Sequence, residues 1–254
     1  IATRDHTERM LEHFGAEVHI DDSPSGGKKI TVVGQPELIG RPVVVPADIS
    51  SAAFPLVAAL LTPKSEILIE AVGINSLRSG LLKTLVEMGA DIVQRKKTGA
   101  KGEPVADLKV RASRLKGVQV PAERAASMID EYPILAMAAA VAEGTTRMEG
   151  LAELRVKESD RLALIAKGLR GAGVEIEETE SSLVVHGIGG PPLGGNTVNS
   201  MNDHRIAMSF LVLGAVSDYP IRVTHTETIA TSFPNFRNLM NILGTDMRIE
   251  GNPE

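Results

Sequence analysis

The chain has 254 residues, 43% of them apolar, which is enough to bury one large core or two smaller ones. A formal net charge of −5, no long Lys/Arg run, and only five Phe and two Tyr argue against a surface that tracks or stacks on nucleic acid. Zero Cys excludes disulfides, thiolate nucleophiles and zinc–cysteine sites and fits a reducing, cytoplasmic compartment, while the longest apolar run, 132–142, is too short to span a bilayer.

In chain order, the first element is an amphipathic helix in residues 10–14, closed by Gly15 and followed by a short alternating strand. The same grammar returns at Gly89, Gly173 and Gly244, each a glycine where a left-handed helix C-cap needs one. The interval between these glycines is nearly regular and longer than the usual solenoid periods, which indicates a repeated supersecondary unit. Ahead of each later copy stands a second recurring element. Val45-Pro46-Ala47-Asp48 opens the apolar segment 52–61, Val120-Pro121-Ala122-Glu123 precedes 134–142, and Asn202-Asp203-His204 opens 206–216. These apolar segments lack a clean polar face, so they are expected to be buried helices. Strands are expected next at 66–70, 145–149 and 221–224, with further strands at 107–111 and 182–186. The unit is therefore strand, buried helix, strand, exposed helix, glycine cap, strand and often one more strand. Three units span about residues 41–250. The chain starts with Ile1 and enters a helical pattern at once, so residues 1–40 are expected to end a preceding unit that belongs to something upstream. The polar, glycine-rich loops 21–29, 96–103 and 187–196 are expected to be hairpin tips.

The unusual charges collect at the joints of these units. Arg155-Val156-Lys157-Glu158-Ser159-Asp160-Arg161 reads as the start of a helix, with Lys157 and Arg161 as i,i+4 neighbours and Glu158 beside Arg161. In a bare helix, like charges at that spacing cost roughly 0.2–0.5 kcal/mol and the macrodipole disfavours cations there. Arg205, directly before an apolar helix, repeats the anomaly one unit later. A solvated charged turn with a Glu158–Arg161 surface pair accounts for the heptad alone, whereas a phosphate or carboxylate bound at the helix N-termini accounts for both. Asp130, in Asp130-Glu131-Tyr132-Pro133, opens a buried helix and reads equally as a cap or as a catalytic carboxylate. Ser50-Ser51 reads most simply as a helix cap. Gly99-Ala100-Lys101-Gly102 lacks the strand–helix context of a P-loop, and the six His show no metal-ligand spacing.

Four motifs then carry a resemblance: Arg155 to Arg161, Met128-Ile129-Asp130-Glu131-Tyr132-Pro133, Asp203-His204-Arg205-Ile206-Ala207-Met208 and Pro46-Ala47-Asp48-Ile49-Ser50-Ser51. In this order they resemble the 5-enolpyruvylshikimate-3-phosphate synthase family, and Ser127 to Tyr132 with Ala53 to Leu60 resembles its class II members. The resemblance implies an inverse α/β domain of three βαβαββ repeats around buried parallel helices, with residues 1–40 as the end of the preceding domain's last repeat and 41–254 as the C-terminal three-repeat domain. It implies transfer of enolpyruvyl from phosphoenolpyruvate to the 5-hydroxyl of shikimate 3-phosphate, with no cofactor and no metal. On this basis Asp130 matches the proton acceptor at the 5-hydroxyl, and Glu158 the acid/base group at the phosphoenolpyruvate methylene. Lys157 matches a shikimate 3-phosphate ligand, Arg161 and Arg205 the arginines that hold phosphoenolpyruvate, and Arg4 a substrate-phosphate contact. Many members carry a Lys within the stretch matching Ala230-Thr231-Ser232-Phe233-Pro234, and here there is none. The resemblance further implies that the partner is a missing N-terminal domain of the same polypeptide, that the full-length enzyme is a cytoplasmic monomer binding neither nucleic acid nor membrane, and that this chain alone is inactive. The alternative is an isolated domain that only binds anions. The related UDP-N-acetylglucosamine enolpyruvyl transferases ordinarily use a reactive Cys and different motifs.

Overall fold

Helix α1 (His6–His13) ends on Phe14, and Gly15 follows at φ +101°, the left-handed turn that the absence of a side chain permits. The chain then forms an antiparallel hairpin, β1 (Val18–Asp22) with β2 (Lys28–Val32). The computed structural model describes residues 2–96 and 102–250.

The first complete unit begins with a single parallel bridge from Ala47 to Val72. It continues through α2 (Ile49–Leu61), β3 (Glu66–Gly73), α3 (Gly80–Glu87), β4 (Asp91–Lys96) and β5 (Val105–Arg111), with sheet order β3-β5-β4. The second unit repeats the order with β6 (Gln119–Val120), α4 (Tyr132–Val141), β7 (Glu143–Glu149), α5 (Arg161–Gly171), β8 (Glu175–Glu178) and β9 (Ser182–Ile188). Its sheet runs β6-β7-β9-β8, parallel at β6–β7 and antiparallel elsewhere. The two sheets share one topology, as a repeat requires. The third unit has β10 (Thr197–Asn199) parallel to β11 (Arg222–Thr224) around α6 (His204–Gly214), followed by α7 (Ile229–Ser232) and α8 (Phe236–Ile242).

The apolar segments are buried helices, as their composition requires. Every residue of α4 from Tyr132 to Ala140 is buried, and Leu56, Val57 and Leu60 of α2 are at most 1% exposed. Each such Leu or Ile stabilises the fold by about 1.5–3 kcal/mol. Helices α2, α4 and α6 contact one another, and the small residues Ala136, Ala138, Ala139 and Ala140 allow close approach. They run parallel. Ser50 at the start of α2 bonds Glu131 at the start of α4, which in turn faces Arg205 at the start of α6. At the other end, Leu61, Val141 and Ala215 line a common, largely apolar cavity of about 680 Å³.

Several expectations need correction. The third unit shows no strand after Gly244 among the described residues. There the Asn241 side chain accepts from Met247 N at 2.8 Å and donates to Met247 O at 3.0 Å, using backbone groups that a ladder would need. Segment 187–196 is not a hairpin tip: β9 pairs with β7 and β8, whereas β10 pairs with β11, so this segment crosses between sheets. Pro191 and Pro192 offer no N–H to a ladder, and Gly194, at φ +67°, bridges Tyr219. The tip expected at 96–103 and the Gly99–Gly102 motif fall largely outside the described residues. The start of the heptad helix also shifts. A 3-10 turn ends at Val156, Lys157 is extended, and α5 begins at Arg161 with Asp160 as its cap, accepting from Ala163 N at 3.0 Å. Lys157 and Arg161 are therefore not helical neighbours, and Lys157 pairs instead with Glu153 at 2.5 Å. No helix among the described residues is long and apolar enough to cross a membrane.

Candidate active site

The N-termini of α2, α4 and α6 converge, and the start of α5 joins them through Arg161. Aligned peptide dipoles give each end a partial positive charge, so the scaffold alone makes this end of the domain attractive to anions. Charged side chains from all three units gather on it.

Arg161 is the hub. Its side chain is 0% exposed, and its guanidinium serves three carboxylates: Nε to Asp203 at 2.8 Å, Nη1 to Asp130 at 3.2 Å and Nη2 to Glu158 at 2.5 Å. A cation can be buried here because every edge of its fork is matched, which an ammonium could not reproduce. Asp203 caps α6 by accepting from Arg205 N at 3.0 Å and Ile206 N at 3.4 Å, and also accepts from Ser159 Oγ at 2.9 Å. Burial pushes the Asp203 carboxyl up, but the Arg161 bond and charge, with Ser159 and the backbone, outweigh it and hold the group below its usual range.

Asp130 lies in the 3-10 turn Ile129–Glu131 and makes no capping bond to α4; the cap reading gives way to an electrostatic one. Its carboxylate faces Arg161, Lys157 at 3.8 Å and Arg78 at 3.8 Å. Burial raises its pKa, yet Arg205, Lys157, Arg161 and Arg78 together bring it below the ordinary carboxylate value. Arg205 donates through Nη1 to Asp130 O at 3.3 Å. Glu158 is half exposed, the most open of these carboxylates. Burial and the adjacent Arg205 lower the His204 pKa and favour its neutral form. Arg4 is mostly exposed and bonds Thr3 O at 2.7 Å. Burial and then Arg78 lower its pKa, against the pull of Asp130, Glu131 and Glu153, so Arg4 lies within the field of the cluster.

The structure thus brings Asp130, Glu158, Lys157, Arg161 and Arg205 together, with Arg4 nearby. It adds residues that the sequence reading passed over. Arg78, between β3 and α3, donates through Nη2 to Ser50 Oγ at 2.7 Å. Ser50 is not the α2 cap; Asp48 is, accepting from Ser50 N at 3.2 Å and Ser51 N at 2.9 Å, which leaves the Ser50 hydroxyl for Glu131 at 2.5 Å. Glu131 is 1% exposed. Asp5, His6 and Glu103 bring three potential metal-ligating atoms within 4.8 Å of one another. These groups are already engaged: His6 with Glu103 at 2.5 Å, and Asn75 with Asp5 at 2.5 Å and Glu103 at 3.0 Å.

Five cations set against four carboxylates, at four positive helix ends on repeated α/β units, define an α/β domain with a charged cluster where its repeats converge. Comparison with known proteins narrows the class. The family model EPSP synthase (3-phosphoshikimate 1-carboxyvinyltransferase) matches residues 2–240. The chain is 65% identical over 243 residues to the 3-phosphoshikimate 1-carboxyvinyltransferase of Paramagnetospirillum magneticum, covering 96% of this chain and 54% of that protein. It is 60% identical over 251 residues to that of Methylorubrum populi, covering 98% and 55%. Among solved structures, the EPSP synthase from Acinetobacter baumannii superposes with a TM-score of 0.90 at 44% identity, over 96% of this chain and 55% of that one. The enolpyruvyl transferase NikO from Streptomyces tendae, at 20% identity and a TM-score of 0.70 over 96% of this chain and 53% of that one, shares the fold. The chain belongs to the EPSP synthase family, and it spans about half the length of the curated relatives it matches.

Proposed function

We propose that this chain supplies one wall of the site that transfers enolpyruvyl from phosphoenolpyruvate to the 5-hydroxyl of shikimate 3-phosphate, with release of phosphate. The observation that carries the reading is the buried Arg161, bonded at once to Asp130, Glu158 and Asp203. It joins the two proposed proton-transfer groups to the anion-binding cations.

Addition followed by elimination needs a base at the attacking hydroxyl, an acid at the methylene carbon, and fixed cations on the substrate oxygens. Asp130 is the base in this reading. Its surrounding cations keep it ionised when the site is empty, and bound substrate anions, by offsetting those cations, make it more basic when a hydroxyl is in place. Glu158 is the acid. It holds Arg161 Nη2 from the solvent side, so an incoming carboxylate or phosphate competes for that donor and releases Glu158 towards the substrate. Arg161 and Arg205 hold phosphoenolpyruvate, while Lys157 and Arg4 hold shikimate 3-phosphate. Residues 1–40 end the last repeat of a preceding domain and 41–254 form the three-repeat domain. The other wall belongs to the part of the polypeptide that the longer relatives possess, and the whole works in the cytoplasm as a monomer.

The test is phosphate release from phosphoenolpyruvate plus shikimate 3-phosphate. We expect none from the 254-residue chain alone and turnover once the remaining half is supplied in cis or in trans. Turnover by the isolated chain refutes the two-walled site. A full-length protein without turnover refutes the assigned reaction and leaves an anion-binding domain.

A further inference from the structure

Glu131 is the carboxyl that the mechanism leaves unused, and its surroundings are specific. Its side chain is 0% exposed. Oε1 accepts from Ser50 Oγ at 2.5 Å, and Ser50 Oγ itself accepts from Arg78 Nη2 at 2.7 Å. Arg78 Nη2 and Arg205 Nη1 stand 3.7 Å and 3.6 Å from that same oxygen, close enough for charge attraction and beyond hydrogen-bond length. Oε2 is buried without a hydrogen-bond partner. Arg161 spends its donors on three carboxylates, whereas Arg205 spends one on a backbone carbonyl.

We propose that Glu131 is a positioning residue for the anion site: keyed by Ser50, it holds the Arg78 and Arg205 guanidiniums at a fixed spacing while leaving their outer N–H groups to the incoming anion. The two arginines come from the first and third units and would repel each other without a carboxyl between them. A carboxyl bonded directly to both would consume the donors that an anion needs; one set back by half an ångström or so offsets the charge and spares the fork. The other charges around Glu131 are Asp130 and Arg4. Burial raises the Glu131 pKa, while the Ser50 bond, Arg78 and Arg205 pull it back towards the charged form. The inference rests on the proposed function only in taking this cluster as an anion site.

Inorganic phosphate is the probe, titrated by calorimetry into the 254-residue chain and its variants, with the arginine Nε–Hε NMR signals as a second readout. Glu131→Ala is expected to weaken phosphate binding tenfold or more, about 1.4 kcal/mol, and to move the Arg78 and Arg205 signals. Glu131→Gln keeps a carbonyl for Ser50 but loses the charge, and is expected to weaken binding by about threefold, less than Ala does. Ser50→Ala should fall between them. It carries the test should Glu131→Ala not fold. Wild-type affinity in Glu131→Ala, equal losses in the Ala and Gln variants with unmoved arginine signals, or no phosphate binding by the parent chain each overturns the proposal. Phosphate binding with this pattern but no turnover in the full-length enzyme defeats the assigned reaction alone. Turnover with variant-independent phosphate affinity defeats the role of Glu131 alone.

Discussion

Arg161 shows how a fully buried cation becomes affordable: three carboxylates and no exposure. Removing one partner of such a group strands the others, at about 3–5 kcal/mol. Arg161→Ala should therefore lower the urea-unfolding free energy by that amount, and Arg161→Lys should not restore it, because an ammonium cannot face three directions in a plane. Stability should depend on pH with two opposing signs. Asp130 and Asp203 are held below the ordinary carboxylate value of about 4, so their contribution is present above that value and is lost as pH falls through the lower native ones. Glu131 is raised, so its contribution is present below the ordinary value and is lost as pH rises towards the native one. Urea midpoints measured from about pH 3 to 8 should show Asp203→Asn weaker at neutral pH and converging with wild type in acid. Glu131→Gln should relieve the decline on the alkaline side. At this scale the sequence was half legible. Lys157, Arg161 and Arg205 stood out as cations at helix starts, whereas Asp130 and Glu158 gained their roles only from the family resemblance. Arg78 lies in the polar loop Asn75–Ser79 with no periodic context, and Glu131 follows Asp130 with no local signal of its own. Only the convergence of separate units reveals either one.

Among the elements, the buried helices were the most legible, since a segment without a polar face has nowhere to go but the interior. The glycine caps were equally plain: Gly15, Gly89, Gly173 and Gly244 all have positive φ. The start of α5 was misread because charge spacing was weighed ahead of capping chemistry. Asp160 carried the N-cap signal, and its bond to Ala163 N fixes the start one residue later. The strands missing from the third unit show the limit of reading by repetition: a side chain, Asn241, took the backbone groups of the next segment. Helix packing offers a sharp test. A Cβ at Gly168 of α5 would stand 2.2 Å from Phe210 Cζ of α6, and Phe210 is 0% exposed. Gly168→Ala should therefore destabilise the chain by about 1–3 kcal/mol despite its higher helix propensity. A thermal midpoint at or above wild type would mean that α5 and α6 do not pack as described.

Across the whole molecule, burial is uneven. The three-helix core is sealed, whereas α1 buries no residue and β1, β2 and the segment to Val45 leave Ile20, Ile30, Ile39, Val44 and Val45 exposed. Composition bounded the amount of apolar surface but could not say where it would lie, because that depends on which repeats stack on which. The family relationship and the half-length coverage together make the separated-half assay the decisive experiment at this scale. The stitching of the charge cluster has a kinetic consequence. Ser50, Arg78, Asp130, Arg161 and Arg205 come from three units separated by most of the chain, and no single unit holds enough of them to grip an anion. The site therefore comes into being only with the last docking event of folding, after the loop-closure entropy of every unit has been met. An anion bound as proposed has nothing to hold in earlier species, so added phosphate is expected to slow unfolding in urea-jump kinetics and to leave the folding rate unchanged.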